Sequence, residues 1–448
     1  MKKTLLILSI FTASFAVKAQ TTDQQRVNKI DSLFEVYAKK NMFCGAVSIS
    51  KKGTSLLSKG YGMSNYSFDI PNTPQTKFKL ASVSKQFTAM AIMILQEQGK
   101  LNTDDKLIKF IADYPNGEKI TVHHLLTHTS GIHNFTSNEN YDSMMVLPHT
   151  LTEIISHFKN QKLDFEPGEK FNYSNSGYVL LSYIIEKASG KTYGEFITTQ
   201  IFEPLGMKNS GAFEGNKLIK NLALGYTNGD NGLENAGYID MSIPAGAGGL
   251  YSTVEDLQLW DRSFYTEKLV KKATLDKMTT PFKDGYAYGL MIDSYLKHRW
   301  INHTGGIQGF STVISRFPED ELCIVILKNV DNYMAFSANK VCRAIMFDDK
   351  YELPVERVAA KIDKAVGQTL CGDYELDPGF IMTVTFEGER MFVQATGQPK
   401  IEIFSEGSYN YFCKAVNAQF EFSKDKKNNI NSLTLVQNGQ KMPGKKIK

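Results

Sequence analysis

A serine stands three residues before a lysine, Ser82 and Lys85, in the run FKLASVSKQFTAMAIMILQEQGKL that spans Phe78–Leu101. The spacing alone is weak evidence, because it recurs at Ser48/Lys51, Ser337/Lys340 and Ser423/Lys426. Those three pairs fall in an expected strand, helix and charged turn, and none leads into a long apolar helix. Behind Lys85 stands FTAMAIMIL, which predicts a helix buried nearly all round. The first N–H groups of such a helix are unpaired and favour developing negative charge. One turn later, Lys85 projects from the same face as Ser82. An ammonium placed there loses its hydration, so its pKa falls and the amine becomes usable as a base near neutral pH. The plain alternative is a serine cap with a lysine that snorkels to solvent.

Two further stretches could complete a site. In PGEKFNYSNSGYVLL, Tyr173, Ser174 and Asn175 close a loop before an amphipathic helix. There a phenol could share a proton with Lys85, and the Asn175 amide could bind a substrate amide. A second Tyr-x-Asn, Tyr226/Asn228, lies in the glycine-rich GYTNGDNG and reads as a plain turn. In WINHTGGIQGF, His303-Thr304-Gly305-Gly306 ends an expected strand on small residues that allow close backbone approach. His303 and Thr304 could hold a carboxylate or carbonyl, and the Gly306 N–H could join that of Ser82 in an oxyanion hole. Other chemistries are less well served. His124 and His128 have helical i, i+4 spacing, but Leu125 stands where a zinc peptidase needs glutamate. AGAGGLYS lacks the lysine of a phosphate-binding loop, and no Gly-x-Ser-x-Gly occurs.

The elements that must position these residues can be read from periodicity. FCGAVSISKKGTSLLSKGYGMSN predicts a β-hairpin turning at Lys51-Lys52-Gly53. From about 100 to 285 the chain reads as mostly helical. YAYGLMID, RWINHTGG, FSTVISRFP and LCIVILKN then predict successive strands, and AFSANKVCRAIMF a helix. Strands on both sides of a helical middle imply one mixed sheet, flanked by helices, with an inserted helical lobe. Beyond about 370, six or so strands at roughly ten-residue spacing imply a small β-sandwich or barrel. The expected division is residues 1–19, 20–355 and 356–448.

Taken together, Ser-x-x-Lys, Tyr-x-Asn and His-Thr-Gly in this order resemble the serine β-lactamase and penicillin-binding-protein superfamily, with the spacing of its class C branch. HHLLTHTSGI, EPLGMKNS and AGAGGLYSTVEDLQLW fit that branch too, so the resemblance covers about 30 to 350. It implies Ser82 as acylated nucleophile, and Lys85 with Tyr173 as the proton shuttle. It further implies Asn175, His303, Thr304 and Gly305 as substrate-binding residues, and the N–H groups of Ser82 and Gly306 as oxyanion hole. No metal or other cofactor is implied. Class C β-lactamases carry lysine where this chain has His303. A histidine is only partly charged near pH 7 and grips a β-lactam carboxylate less firmly. Related D-amino-acid peptidases and esterases more often have this histidine. The C-terminal strands, opening CGDYELDPGF, resemble the lipocalin-like domain attached to some related peptidases and esterases.

The expected activity is amide or ester cleavage through an acyl-enzyme, on D-amino-acid peptides from the cell wall, small esters or β-lactams. The alternative is a penicillin- or peptidoglycan-binding protein that acylates slowly or only binds. MKKTLLILSIFTASFAVKAQ reads as a cleaved secretory signal, which implies a periplasmic or secreted protein with no stable membrane anchor. Losing residues 1–19 removes Lys2, Lys3 and Lys18 and no acid, so the formal charge falls from +4 to +1. Such a balance gives no electrostatic case for nucleic acid. Cys44, Cys323, Cys342, Cys371 and Cys413 sit mostly in apolar runs and read as buried small hydrophobes, with one disulfide left open. Oligomeric state is not legible.

Overall fold

The computed structural model describes residues 22–448 except 230–231, 331–333, 354–356, 358, 397, 399, 414–417 and 438–439. The expected signal (1–19) and the expected boundary at 355/356 lie outside the described residues, as does part of the expected strand YNYFCKAV. The larger part of the chain is built on a six-stranded sheet. Its strands are β1 (Gly45–Lys51), β2 (Thr54–Tyr61), β3 (Met291–Tyr295), β4 (His298–Ile307), β5 (Phe310–Phe317) and β6 (Leu322–Lys328), in the order β3-β4-β5-β6-β1-β2. Every neighbouring pair runs antiparallel, in one sheet assembled from N- and C-terminal strands as expected. The reason is the seam. β6 lies beside β1 with Gly45 opposite Lys328, so hairpins alone connect the rest and no parallel crossover is needed.

Both faces of the sheet are covered, and β6 shows it residue by residue. Leu322, Ile324 and Ile326 pack toward α1 (Asp23–Lys39) and the C-terminal helix Met334–Met346. Cys323, Val325 and Leu327 alternate with them and pack toward α2 (Lys85–Glu97) and the helical lobe. That period of two, apolar on both sides, is what a central strand requires. Eleven consecutive residues of α2, Lys85 to Leu95, are buried. It packs against α3 (Asn175–Ser189), α4 (Val254–Ser263) follows, and then α5 (Lys272–Met278).

The C-terminal part is a closed antiparallel barrel of eight strands in up-and-down order, from Gly372–Asp377 to Gln440–Lys446, two more than the roughly six expected. Asn410–Phe412 falls within the expected strand YNYFCKAV, and the strand that the sequence texture hid is Gln440–Lys446. Tyr374, Met391, Phe420 and Leu433 fill its interior. Closure removes exposed strand edges. Tyr226 is no turn residue, as the sequence suggested. It is 3% exposed in the hairpin strand Tyr226–Gly229, and its hydroxyl accepts the Tyr66 N–H at 2.8 Å. All five cysteines are free, Cys371 half-buried and the others buried. Among the described residues no helix is long and apolar enough to cross a membrane.

Candidate active site

Ser82 sits in a 3-10 turn, Ala81–Ser84, that runs directly into α2. Ala81 has φ +49°, a left-handed value that costs a non-glycine residue about 1 kcal/mol or more and is found where surrounding structure enforces it. Here β4 and β5 do so. Thr312 donates its hydroxyl to the Leu80 carbonyl at 2.8 Å. A Cβ on Gly305 would stand 2.4 Å from that same carbonyl, so only glycine lets β4 approach the turn. Ser82 is left half-buried, facing a cavity of about 570 Å³.

Lys85 is fully buried, and its Nζ lies 3.1 Å from Ser82 Oγ, 2.9 Å from Asn175 Oδ1 and 2.8 Å from the Ala247 carbonyl. No carboxylate is among these partners. Burial holds the amine well below its ordinary pKa. A neutral amine has two N–H groups and one lone pair. The amide oxygen and the carbonyl can only accept, so they take the two N–H groups. The lone pair is then left for the Ser82 hydroxyl, whose proton it can receive. The ring of Tyr173 lies 4.8 Å from the same nitrogen. Burial pushes the Tyr173 phenol up, with a hydrogen bond to Ser82 pulling against it, so it stays protonated. Asn175 begins α3, and its Nδ2 donates to Thr136 Oγ1 at 3.4 Å.

His303 is 3% exposed and both ring nitrogens are engaged. Nδ1 donates to the Thr304 carbonyl at 2.6 Å, and Nε2 accepts from the Tyr286 hydroxyl at 3.0 Å. Burial lowers its pKa to about 3, so it is neutral. Thr304 is half-buried, Gly305 is buried, and Gly306 lines the cavity with Ser82 and Asn175. The cavity wall is otherwise Phe135, Tyr141, Ile239 and Phe310 with neutral polar groups, and among the described residues no charged side chain lines it. Among the described residues no group of three or more His, Cys, Asp or Glu could hold a metal ion, and His124 instead closes a capping box with Thr121.

Two residues of this site were not legible as such. Tyr286 lay in the expected strand YAYGLMID, which begins only at Met291. His128 stood out in the sequence only as half of an i, i+4 histidine pair, and in the structure it brackets the Tyr173 loop. Its carbonyl accepts the Asn172 N–H at 2.9 Å, its Nδ1 accepts the Ser174 N–H at 3.1 Å, and its ring lies 4.2 Å from that of Tyr173. Asparagine offers a similar acceptor and tolerates the φ of +55° found at His128, whereas leucine does neither. Steady-state kinetics should therefore show kcat reduced about tenfold in His128→Asn and about a hundredfold in His128→Leu, with KM little changed, as Tyr173 loses its fixed position.

A family model described as Beta-lactamase matches residues 30–340, and one described as a domain of unknown function (DUF3471) matches residues 356–446. A penicillin-binding protein of Bacillus subtilis (strain 168) is 31% identical over 429 residues, which is 89% of this chain and 94% of that protein. A teichoic acid D-alanine hydrolase of Staphylococcus aureus (strain MRSA252) is 26% identical, over 66% of this chain and 72% of its own. Among solved structures, an octameric penicillin-binding protein homologue from Pyrococcus abyssi superposes with a TM-score of 0.65 at 30% identity, covering 93% of this chain and 99% of that one.

Proposed function

The chain belongs to the Beta-lactamase family and is a serine hydrolase, and from that premise we propose that it cleaves esters or amides of D-amino acids through an acyl-enzyme on Ser82. The observation that carries this reading is the buried Lys85, whose lone pair is aimed at Ser82 Oγ from 3.1 Å. As Oγ attacks the substrate carbonyl, Lys85 takes the hydroxyl proton. The N–H groups of Ser82 and Gly306 hold the resulting oxyanion, and each such donor is worth about 3 kcal/mol. Tyr173, held as a neutral phenol, gives its proton to the departing alkoxide or amine and regains one from Lys85, which is neutral again. Water then attacks the Ser82 ester, Lys85 takes the water proton and returns it to Ser82 Oγ, and the acid is released. Asn175 orients the acyl group, and Thr304 and Gly305 take the far side of the substrate.

The choice of D-amino acid derivatives rests on two supports. One is the teichoic acid D-alanine hydrolase among the relatives. The other is charge: with His303 neutral and no charged wall, the cavity offers nothing to pair a free carboxylate. Burying an unpaired carboxylate is costly. Carboxylate-bearing β-lactams and D-Ala-D-Ala peptides are therefore poor substrates, and esters or amides without one are good. We read residues 1–19 as an export signal on the sequence pattern alone, which would bring the enzyme to envelope substrates. Measuring kcat/KM for a D-alanine aryl amide beside a D-Ala-D-Ala peptide should give at least about a thirtyfold preference for the amide, the worth of one missing charge-assisted hydrogen bond. Equal rates, or a preference for the peptide, would refute the charge argument. A penicillin adduct that forms and never decays would favour the second reading, an acyl-trapping penicillin-binding protein like the Bacillus relative.

A further inference from the structure

A second cavity, of about 630 Å³, lies between the C-terminal end of α4, α5 and the outer ends of β4 and β5. It shares no lining residue with the cavity at Ser82. Two polar groups in its wall are buried without a partner. Arg316 is 1% exposed. Its Nε donates to Asp261 Oδ1 at 2.6 Å and its guanidinium lies 3.9 Å from the centre of the Phe264 ring, yet Nη2 has no partner. The Tyr265 hydroxyl is also buried and unpartnered. Native interiors seldom leave one such donor unsatisfied, and two in one cavity call for a common acceptor.

The charges around them narrow its chemistry. Asp261 is taken by Arg316, Glu321 pairs with Arg262 at 2.6 Å, and Asp276 pairs with Lys272 at 3.0 Å. Glu267 is exposed at the rim and accepts the Lys272 N–H. Arg299, half-buried on β4, donates to the Thr279 carbonyl at 2.5 Å and has no acid partner among the described residues. The inner wall therefore holds one uncompensated cation and two free donors. Leu275, Ile301 and Pro318 supply an apolar side.

We propose that this cavity binds a small organic carboxylate. One oxygen accepts from Arg316 Nη2 and the other from the Tyr265 hydroxyl, Arg299 balances the charge, and a short carbon chain packs on Leu275 and Ile301. Inorganic phosphate lacks the chain and carries more charge than the wall compensates.

The test is calorimetric titration of the full chain at fixed ionic strength with sodium propionate, inorganic phosphate and sodium chloride. Propionate should bind saturably and more tightly than phosphate, and chloride should give no saturable heat. Tyr265→Phe keeps the ring and should weaken propionate about fivefold to tenfold, as should Arg299→Gln. Hydrolysis by both variants should stay within about twofold of the parent, and Ser82→Ala should bind propionate unchanged, which keeps this site distinct from the catalytic one. No saturable propionate binding, tighter phosphate binding, or binding indifferent to both variants would overturn the proposal. So would binding lost in Ser82→Ala.

Discussion

Ser82→Ala protein is expected to keep an unchanged intact mass after incubation with a D-alanyl aryl ester, while the parent gains a transient D-alanyl adduct. Only one oxygen is lost, from a half-buried side chain on a turn held by Thr312 and Gly305, so the fold and its Tm should survive. Turnover should not. In enzymes of this design, removing the nucleophile abolishes about 10⁶-fold of the rate and leaves only what oxyanion stabilisation and binding supply. An adduct on the alanine variant, or a variant with more than about a thousandth of parental kcat, would place the nucleophile elsewhere. The Ser48, Ser337 and Ser423 pairs are poor substitutes, since none of those lysines is held against its serine as Lys85 is.

Replacing Lys85 by methionine should cost about 10²–10⁴-fold in kcat, the usual worth of a positioned base, with the cavity otherwise intact. Its effect on stability has a sign that can be worked out. Burial depresses the pKa of Lys85 in the folded protein below the ordinary 10.5. Between those two values the unfolded chain binds more protons than the folded one, so parental stability rises with pH across that window. Lys85→Met has no such group and lacks this slope. Relative to the parent, the methionine variant should be best placed at the acid end, and its standing should decline toward pH 10.5. Denaturant unfolding at several pH values measures this directly. A parent-minus-variant difference that is flat in pH would mean that Lys85 is charged in the folded state, and the base assignment would fall with it.

Much of this was legible in the residues themselves. FTAMAIMIL announced a helix buried all round, and a lysine at its mouth therefore had to be short of water. LCIVILKN announced a strand, and the sheet order makes it a central one whose residues on both faces are apolar. Side-chain periodicity is a local property, and it survives without knowledge of neighbours. Seam, register and charge state are not local. That β6 joins β1 antiparallel depends on hydrogen bonds between residues some 280 apart in sequence. The eighth barrel strand, Gln440–Lys446, is mostly polar and carries Pro443, so no apolar alternation marks it in the sequence.

The site divides in the same way. Residue type and order were enough to nominate Ser82, Lys85, Tyr173, Asn175 and the His303–Gly306 segment, because Ser-x-x-Lys places two groups on one helix face by geometry alone. Which nitrogen takes the serine proton, and whether His303 meets the substrate, could not be read there. Those answers follow from two acceptors and the Ser82 hydroxyl converging on one amine, and from Tyr286 and the Thr304 carbonyl engaging both nitrogens of the imidazole. The same holds for His128, whose grip on the Tyr173 loop crosses 46 residues of sequence. Sequence determined which chemical groups this protein possesses and which faces are buried. Tertiary structure decided which groups are deprived of water and of counter-charge, and that deprivation, set by neighbours distant along the chain, fixes their protonation and so their roles.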